Sequence, residues 1–308
     1  MSVLETDFIL HQYEMSPFSE KIRKIFAHKN AKWYAVEQPN IAPKPNLTPL
    51  TGGYRRIPVM QIGAHVYCDT KLIVREIEAR MPVPVLTPPA LVGIAEIIAD
   101  WSDHRLFTQV AGPTIMEMIS LLPPEFMEDR AAMSEGFTSQ NIVEAAPFMR
   151  EQFMQVCSRL NKQLAHTQFL LGDVFTLADA AVFHIINFTS LGPIQNSIVE
   201  QYESLMLWRT QVREMGQGQR YDLDPQAALD LAKSLTPDMT PPHDSVETIN
   251  GHSIGQMVRV QADDYGRETT DGVIAWQRED EVAIIRDDPQ LGQLLIHYPR
   301  AGYRITKI

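Results

Sequence analysis

Cysteine is scarce: the 308 residues contain only Cys68 and Cys157, too few for a disulfide framework or for a metal centre built on several thiolates. Basic residues are short as well. Lys and Arg number 27 against 38 Asp and Glu, a formal charge of -11, and no Lys/Arg-rich stretch offsets the deficit locally, so nucleic acid is not an expected partner. An anionic small ligand is still compatible with that balance, since one lysine or one helix N-terminus reverses the potential within a single cleft. Missing too is any run of about 18 apolar residues, and the opening MSVLETDFIL has no basic segment leading into an apolar one. Together with the low cysteine count, this sets the expectation of a cytoplasmic protein that does not enter a membrane. His104 and His184 stand among apolar neighbours without an H-E-x-x-H or comparable spacing, so they read as core or surface histidines and no metal is expected.

What is present is a composition that folds: 44% hydrophobic and 21% charged residues, in a chain long enough for roughly two or three ordinary cores. Phe8-Ile9-Leu10 reads as a short buried strand, and Pro17 opens a helix to Lys29 with apolar Phe18, Ile22, Ile25 and Phe26. Lys32–Glu37 reads as a second strand, and Pro39–Pro49 is too proline-rich to be regular. Ile57–Ile62 and Ala64–Tyr67 read as two strands turning at Gly63, after which Asp69 and Thr70 start a helix reaching Met81. The order predicts a small α/β unit with helices beside a four-stranded sheet.

Beyond a connector with Pro82, Pro84, Pro88 and Pro89, apolar residues take helical spacing from Ala90 to about Gly216. Ile94–Leu106 predicts one long helix and Phe148–Ala165 another, with a helix broken by a loop between Leu121 and Pro147. After a second connector near Pro237, Pro241 and Pro242 the pattern alternates: five short strands between Met257 and Ile305 predict a small closed or half-closed barrel. The turn from His297 to Tyr303 then reads as a hairpin closing that barrel, with partner binding or capping of a dimer cleft as the other uses of so dense an aromatic and polar segment.

Three corners carry possible chemistry. Pro58 between Ile57 and Val59 cannot donate to a strand ladder, so it belongs at an edge or follows a cis bond that exposes the Ile57 backbone to an extended peptide ligand. Asp69-Thr70 is a helix cap, or a corner that holds both charges of an amino-acid head group, the Thr hydroxyl for a carboxylate and Asp69 for an ammonium. Ser16-Pro17-Phe18 is a cap, or a site where a helix N-terminus favours an anionic sulfur. Ser16 and Ser19 stand where a C-x-x-C pair would, which argues against disulfide exchange, and Cys68 reads as an inert buried thiol.

In order and context, these corners together with Thr176-Leu177-Ala178-Asp179 resemble the glutathione transferase superfamily over residues 8 to about 215. The resemblance implies a thioredoxin-like glutathione-binding domain over 1–82 and an all-helical transferase domain over 90–235, with the β-rich segment 245–308 as an addition to the usual fold. It implies glutathione as cosubstrate and no metal: Asp69 and Thr70 take the γ-glutamyl end, Ile57 before a cis Pro58 pairs with the cysteinyl backbone, and Ser16 hydrogen-bonds the thiolate, as in the serine-type tau class. Thr176 and Asp179 are then a structural cap. Trp101, His104, Phe107 and Thr108 mark the possible electrophile pocket, and Arg55 and Arg56 read as solvated, the alternative being that one of them meets the glycyl carboxylate. The implied activity is thiol transfer to a small hydrophobic electrophile, with a homodimer expected. The alternatives are a non-catalytic glutathione-binding or interaction scaffold, and a glutathione-dependent isomerase, ether-cleaving enzyme or dehalogenase.

Overall fold

The computed structural model describes residues 3–308. The chain divides into two compact units: one comprises the residues up to Ser19, Lys32–Ile77 and Arg220–Ile308, the other Glu20–Ala31 and Glu78–Gln219. The N-terminal part runs β1 (Phe8–Gln12), α1 (Pro17–Lys29), β2 (Lys32–Glu37), a short α2 (Thr48–Thr51), β3 (Val59–Ile62), β4 (His65–Cys68) and α3 (Thr70–Arg80). β1 pairs in parallel with β2 and antiparallel with β3, which pairs antiparallel with β4. All five residues of β1 are buried, so its two polar side chains need partners. His11 finds them in Gln61 at 2.9 Å and Gln38 at 3.2 Å, and burial lowers its pKa to about 4, which keeps the ring neutral.

The second unit is helical. It contains α4 (Val92–Trp101), α5 (Phe107–Glu117), α6 (Phe126–Met133), α7 (Ser139–Leu164), α8 (Leu177–Phe188), α9 (Pro193–Val199) and α10 (Glu203–Glu214). α8 is buried on every side over Ala178–Ile186, as a helix apolar all round must be. The single helix expected over Ile94–Leu106 is α4 followed by one π turn, Ser102–Leu106, which leads straight into α5. The helix expected from Phe148 starts instead at Ser139, where Thr138 caps it by accepting from the Asn141 N–H at 3.2 Å. Pro147 lies inside it, and Val143, whose carbonyl that proline leaves without its helical donor, is exposed, so water can take the bond.

The chain then returns to the first unit with β5 (Gln219–Asp222) at the β2 edge, α11 (Pro225–Lys233), a small ribbon of β6 (Thr248–Ile249) and β7 (His252–Ser253), and five strands: β8 (Met257–Ala262), β9 (Thr269–Arg278), β10 (Glu281–Asp288), β11 (Gly292–Pro299) and β12 (Tyr303–Lys307). These five do not close into the expected barrel. They extend the first sheet to ten strands in the order β12-β8-β9-β10-β11-β4-β3-β1-β2-β5. The reason is edge pairing. β11 gives one edge to β10 and the other to β4, in parallel, with Ile296 opposite Val66; with both edges used it has none left for β12. β12 pairs with β8 instead, so the His297–Tyr303 segment joins strands that are not neighbours and is not a hairpin.

A shared core follows from that junction. Val59, Val66 and Cys68 pack in one cluster with Val258, Val260, Ile274, Ile284, Leu294, Ile296 and Tyr298, each buried aliphatic side chain contributing about 1.5–3 kcal/mol. The β4–β11 seam also carries a directional hydrogen-bond chain. The Asp238 N–H donates to His65 Nε2 at 3.2 Å, which leaves His65 Nδ1–H to donate to His297 Nε2 at 3.1 Å and His297 Nδ1–H to Glu281 at 2.8 Å. At Gly53, φ is +142° and a Cβ would stand 2.7 Å from the Thr269 carbonyl oxygen, so only glycine lets this loop lie against β9.

Candidate functional site

Register places the three corners at one end of the sheet. His11 of β1 is opposite Val59 of β3, and Val59 is opposite Cys68 of β4. Just beyond that row the chain leaves β1 toward Ser16, enters β3 from Pro58, and leaves β4 into Asp69. The Ile57–Pro58 peptide is cis. Ser16 Oγ accepts the Ser19 N–H at 3.2 Å, the cap of α1, a bond that uses an oxygen lone pair and leaves the hydroxyl proton to be donated. Asp69 adopts φ +78°, a left-handed conformation in which Asp is more at home than most residues and which clusters at binding sites. Its Oδ1 accepts the Lys71 N–H at 2.9 Å while its carbonyl accepts the Ile73 N–H at 3.2 Å, so Asp69 caps α3. Thr70 is buried at the first position of that helix.

The appended strands contribute to the same corner, through residues the sequence reading did not single out. Tyr303, first residue of β12, places its hydroxyl 3.2 Å from Asp69 Oδ2 and 3.3 Å from the Tyr54 hydroxyl. Arg56 and Arg55 are not solvated. Arg56 pairs with Asp264, donates to the Tyr265 carbonyl and lies 4.1 Å over the Tyr265 ring, while Arg55 meets Glu268 at 3.3 Å. Their carboxylates come from the loop between β8 and β9, whose dense Asp263-Asp264-Tyr265-Gly266-Arg267-Glu268 run was the one signal in the sequence. Burial raises the Tyr265 pKa to about 12, so its phenol is neutral.

In the helical unit, Thr176 and Asp179 form a reciprocal capping box at the start of α8. Of the residues marked as a possible electrophile pocket, Trp101 and Phe107 are half-buried and His104 and Thr108 exposed. The last two are tied into their own helix, His104 to the Asp100 carbonyl at 2.8 Å and Thr108 to the His104 carbonyl. The intervening π turn brings Asp103 to Lys21 at 2.6 Å and to the buried His184 at 3.1 Å. Burial lowers the His184 pKa, so the ring donates as a neutral group and Lys21 supplies the countercharge.

Burial acts to raise the Asp103 pKa, but the Lys21 charge and the His184 hydrogen bond outweigh it and bring it down to about 2. A carboxyl depressed in the folded state stabilises the fold above its ordinary value and loses that contribution as pH falls through the depressed one. Asp103 should therefore supply about 2 kcal/mol that disappears between roughly pH 4 and pH 2. Urea unfolding at a series of pH values checks this: Asp103→Asn should be the weaker protein at neutral pH and show a shallower acid limb, and parallel limbs would refute the assignment.

Among the described residues no group of three His, Cys, Asp or Glu is placed to hold a metal ion, and no helix is long and apolar enough to cross a membrane. Cys68 and Cys157 are free and buried.

Comparison with known proteins agrees with this architecture. The chain matches the family model described as glutathione S-transferase, N-terminal domain, over residues 10–88, and that described as glutathione S-transferase, C-terminal domain, over 130–221. The crystal structure of a GST-like protein from Pseudomonas syringae is 31% identical, superposes with a TM-score of 0.81, and the match covers 98% of this chain and all of that one. The chain belongs to the glutathione transferase superfamily. At the level of fold alone it is similar to a glutathione S-transferase from Rhodospirillum rubrum (18% identity, TM-score 0.53, covering 67% of this chain and 87% of that one). A theta class glutathione S-transferase from Xanthomonas axonopodis pv. citri, solved with glutathione bound, is similar too (19% identity, TM-score 0.52, covering 68% and 93%). No curated protein matches the sequence.

Proposed function

We propose that this chain binds glutathione at the sheet end where Ser16, Ile57, Pro58, Asp69 and Thr70 converge, and activates its thiol for attack on a small hydrophobic electrophile. The register row His11–Val59–Cys68 carries the reading, because it brings a hydroxyl at a helix start, a peptide edge ahead of a proline and a capped carboxylate to one rim. The Ile57 backbone would pair with the cysteinyl residue, Asp69 take the γ-glutamyl ammonium and Thr70 its carboxylate. The Ser16 hydroxyl would donate to the thiolate, which favours the charged form. Positioning and thiolate stabilisation are then the protein's whole contribution, with no metal required. Glutathione at a hundredfold excess over its Kd should stabilise the folded chain by about 3 kcal/mol, read as a concentration-dependent rise in Tm; a flat Tm through millimolar glutathione would overturn the proposal.

One observation favours a second reading, binding without turnover: Ser16 is only 2% exposed and its oxygen already serves a cap. A thiol-conjugation assay with a generic aryl halide separates the two, since the scaffold stabilises on binding and conjugates nothing. We further assign a homodimer, supported by Val83, Val85, Ile94 and Ile97, apolar side chains of the helical unit that are each at least 44% exposed. Two free buried thiols fit a cytoplasmic setting.

A further inference from the structure

The C-terminal strands lie outside both matched family models, yet they touch the corner assigned above to the γ-glutamyl end. Three observations define the contact. Tyr303 reaches Asp69 Oδ2 at 3.2 Å. Tyr54 stands 3.3 Å from Tyr303; a phenol has one proton to give, the carboxylate is the stronger acceptor, and so Tyr303 donates to Asp69 and accepts from Tyr54. Asp264 and the Tyr265 carbonyl hold Arg56, which gives that guanidinium a carboxylate other than Asp69.

We infer that the appended β-segment completes the ammonium subsite of the glutathione site, with Tyr303 as a positioning residue that fixes the rotation of the Asp69 carboxylate. The inference rests on the glutathione reading above and deepens it. A carboxylate has about four acceptor positions. Lys71 N–H occupies one on Oδ1 and Tyr303 one on Oδ2, so the carboxylate is pinned from both oxygens and retains one position on each for an ammonium. Burial, then the nearby Tyr54 and Asp69, hold the Tyr303 pKa well above its ordinary value, so the phenol remains a donor throughout the neutral range. Asp264 acts alongside it. A guanidinium close to Asp69 and lacking its own partner would compete for the carboxylate and repel an incoming ammonium; paired with Asp264 and covered by the Tyr265 ring, Arg56 does neither.

The test uses the full chain, two probes and calorimetry. The probes are glutathione and its deaminated analogue, in which hydrogen replaces the γ-glutamyl ammonium. Tyr303→Phe keeps the ring that packs 5.5 Å from Tyr298 and removes only the donor. It should weaken glutathione about five- to tenfold, one charge-assisted bond's worth of positioning, while the analogue's Kd changes less than twofold. Tyr54→Phe, which leaves Asp69 its phenol, should move glutathione the same way by a smaller factor, and it decides the matter should Tyr303→Phe melt at a lower temperature. Unchanged glutathione affinity in both variants overturns the inference, and so does an equal loss for both probes, which marks a structural role. Failure of the unmodified chain to bind glutathione overturns the underlying reading and this one with it, and is told apart because it appears before any substitution.

Discussion

Asp179→Ala is expected to cost the helical unit on the order of 4 kcal/mol, the penalty for stranding several buried donors at once. Asp179 is fully buried, and its four acceptor positions are all used. Oδ1 takes the Leu170 N–H at 2.8 Å and the Trp208 indole N–H at 3.0 Å; Oδ2 takes the Thr176 N–H and the Thr176 hydroxyl, both at 3.0 Å. Burial raises the carboxyl's pKa and these four bonds oppose the rise, which shows how far the site depends on them to keep a carboxylate in the interior. Alanine removes the acceptor and leaves the donors where water cannot reach, at the first turn of a helix packed on all sides. The Tm should fall by about 10 °C or more. Asp179→Asn keeps the shape but turns an NH2 toward two donors, so it should recover part of the loss at most. A melting temperature for Asp179→Ala within about 2 °C of the unmodified chain would refute the account.

The capping segment was visible in the sequence because a box needs only four residues, Thr176 to Asp179, and its chemistry is local. The same holds for Ser16-Pro17-Phe18, Ile57-Pro58 and Asp69-Thr70. Each is a short signal at the boundary of a strand or helix, and the order of those boundaries fixes which sheet end they share. What the sequence did not disclose lies far apart along the chain. Alternation in the last sixty residues tells which face of each strand is buried but not which edge pairs with which, so the β11–β4 seam, between Ile296 and Val66, left no trace and a closed barrel was the natural expectation. Arg55 and Arg56 read as solvated for the same reason, since Glu268 and Asp264 lie more than two hundred residues away, and Tyr303 reaches Asp69 over a similar separation. Helix bounds failed differently. The helix read from Phe148 starts at Ser139 and runs through Pro147, because the carbonyl that the proline frees belongs to an exposed residue.

These misses share a consequence for function. The register of β1, β3 and β4 brings the Ser16 hydroxyl and the Asp69 carboxylate to one rim, and the strands beside β4 bring a phenol and a loop of carboxylates there as well. The appended segment is therefore part of the environment in which any ligand at that rim is read, and a truncation before β8 would expose Val59, Val66 and Cys68 as well as remove Tyr303. Fold-level likeness to transferases whose matches cover about two thirds of this chain consequently speaks to the scaffold more than to affinity.

Ser16→Ala should lower kcat for thiol conjugation by about a hundredfold, the usual loss when one preorganised donor to a developing or resident anion is removed, while the KM for glutathione moves little. The reason is the division of labour within the hydroxyl: its lone pair accepts the Ser19 N–H, and its proton is what the thiolate would use. Alanine loses both functions, so about 1 kcal/mol of fold stability should go with the cap, and the two effects must be separated. Ser16→Thr does so, because it keeps a hydroxyl that can cap and donate; it should restore the melting temperature together with part of the rate. The decisive measurement is the pH dependence of kcat/KM. A free thiol ionises near pH 8.5, and a donor to the thiolate stabilises the charged form and lowers that value. Removing the donor must then move the inflection of the profile upward, toward the free thiol. A variant that turns over more slowly with its inflection unmoved would mean that Ser16 serves only to start α1, and that ionisation of the sulfur is governed by the helix N-terminus alone.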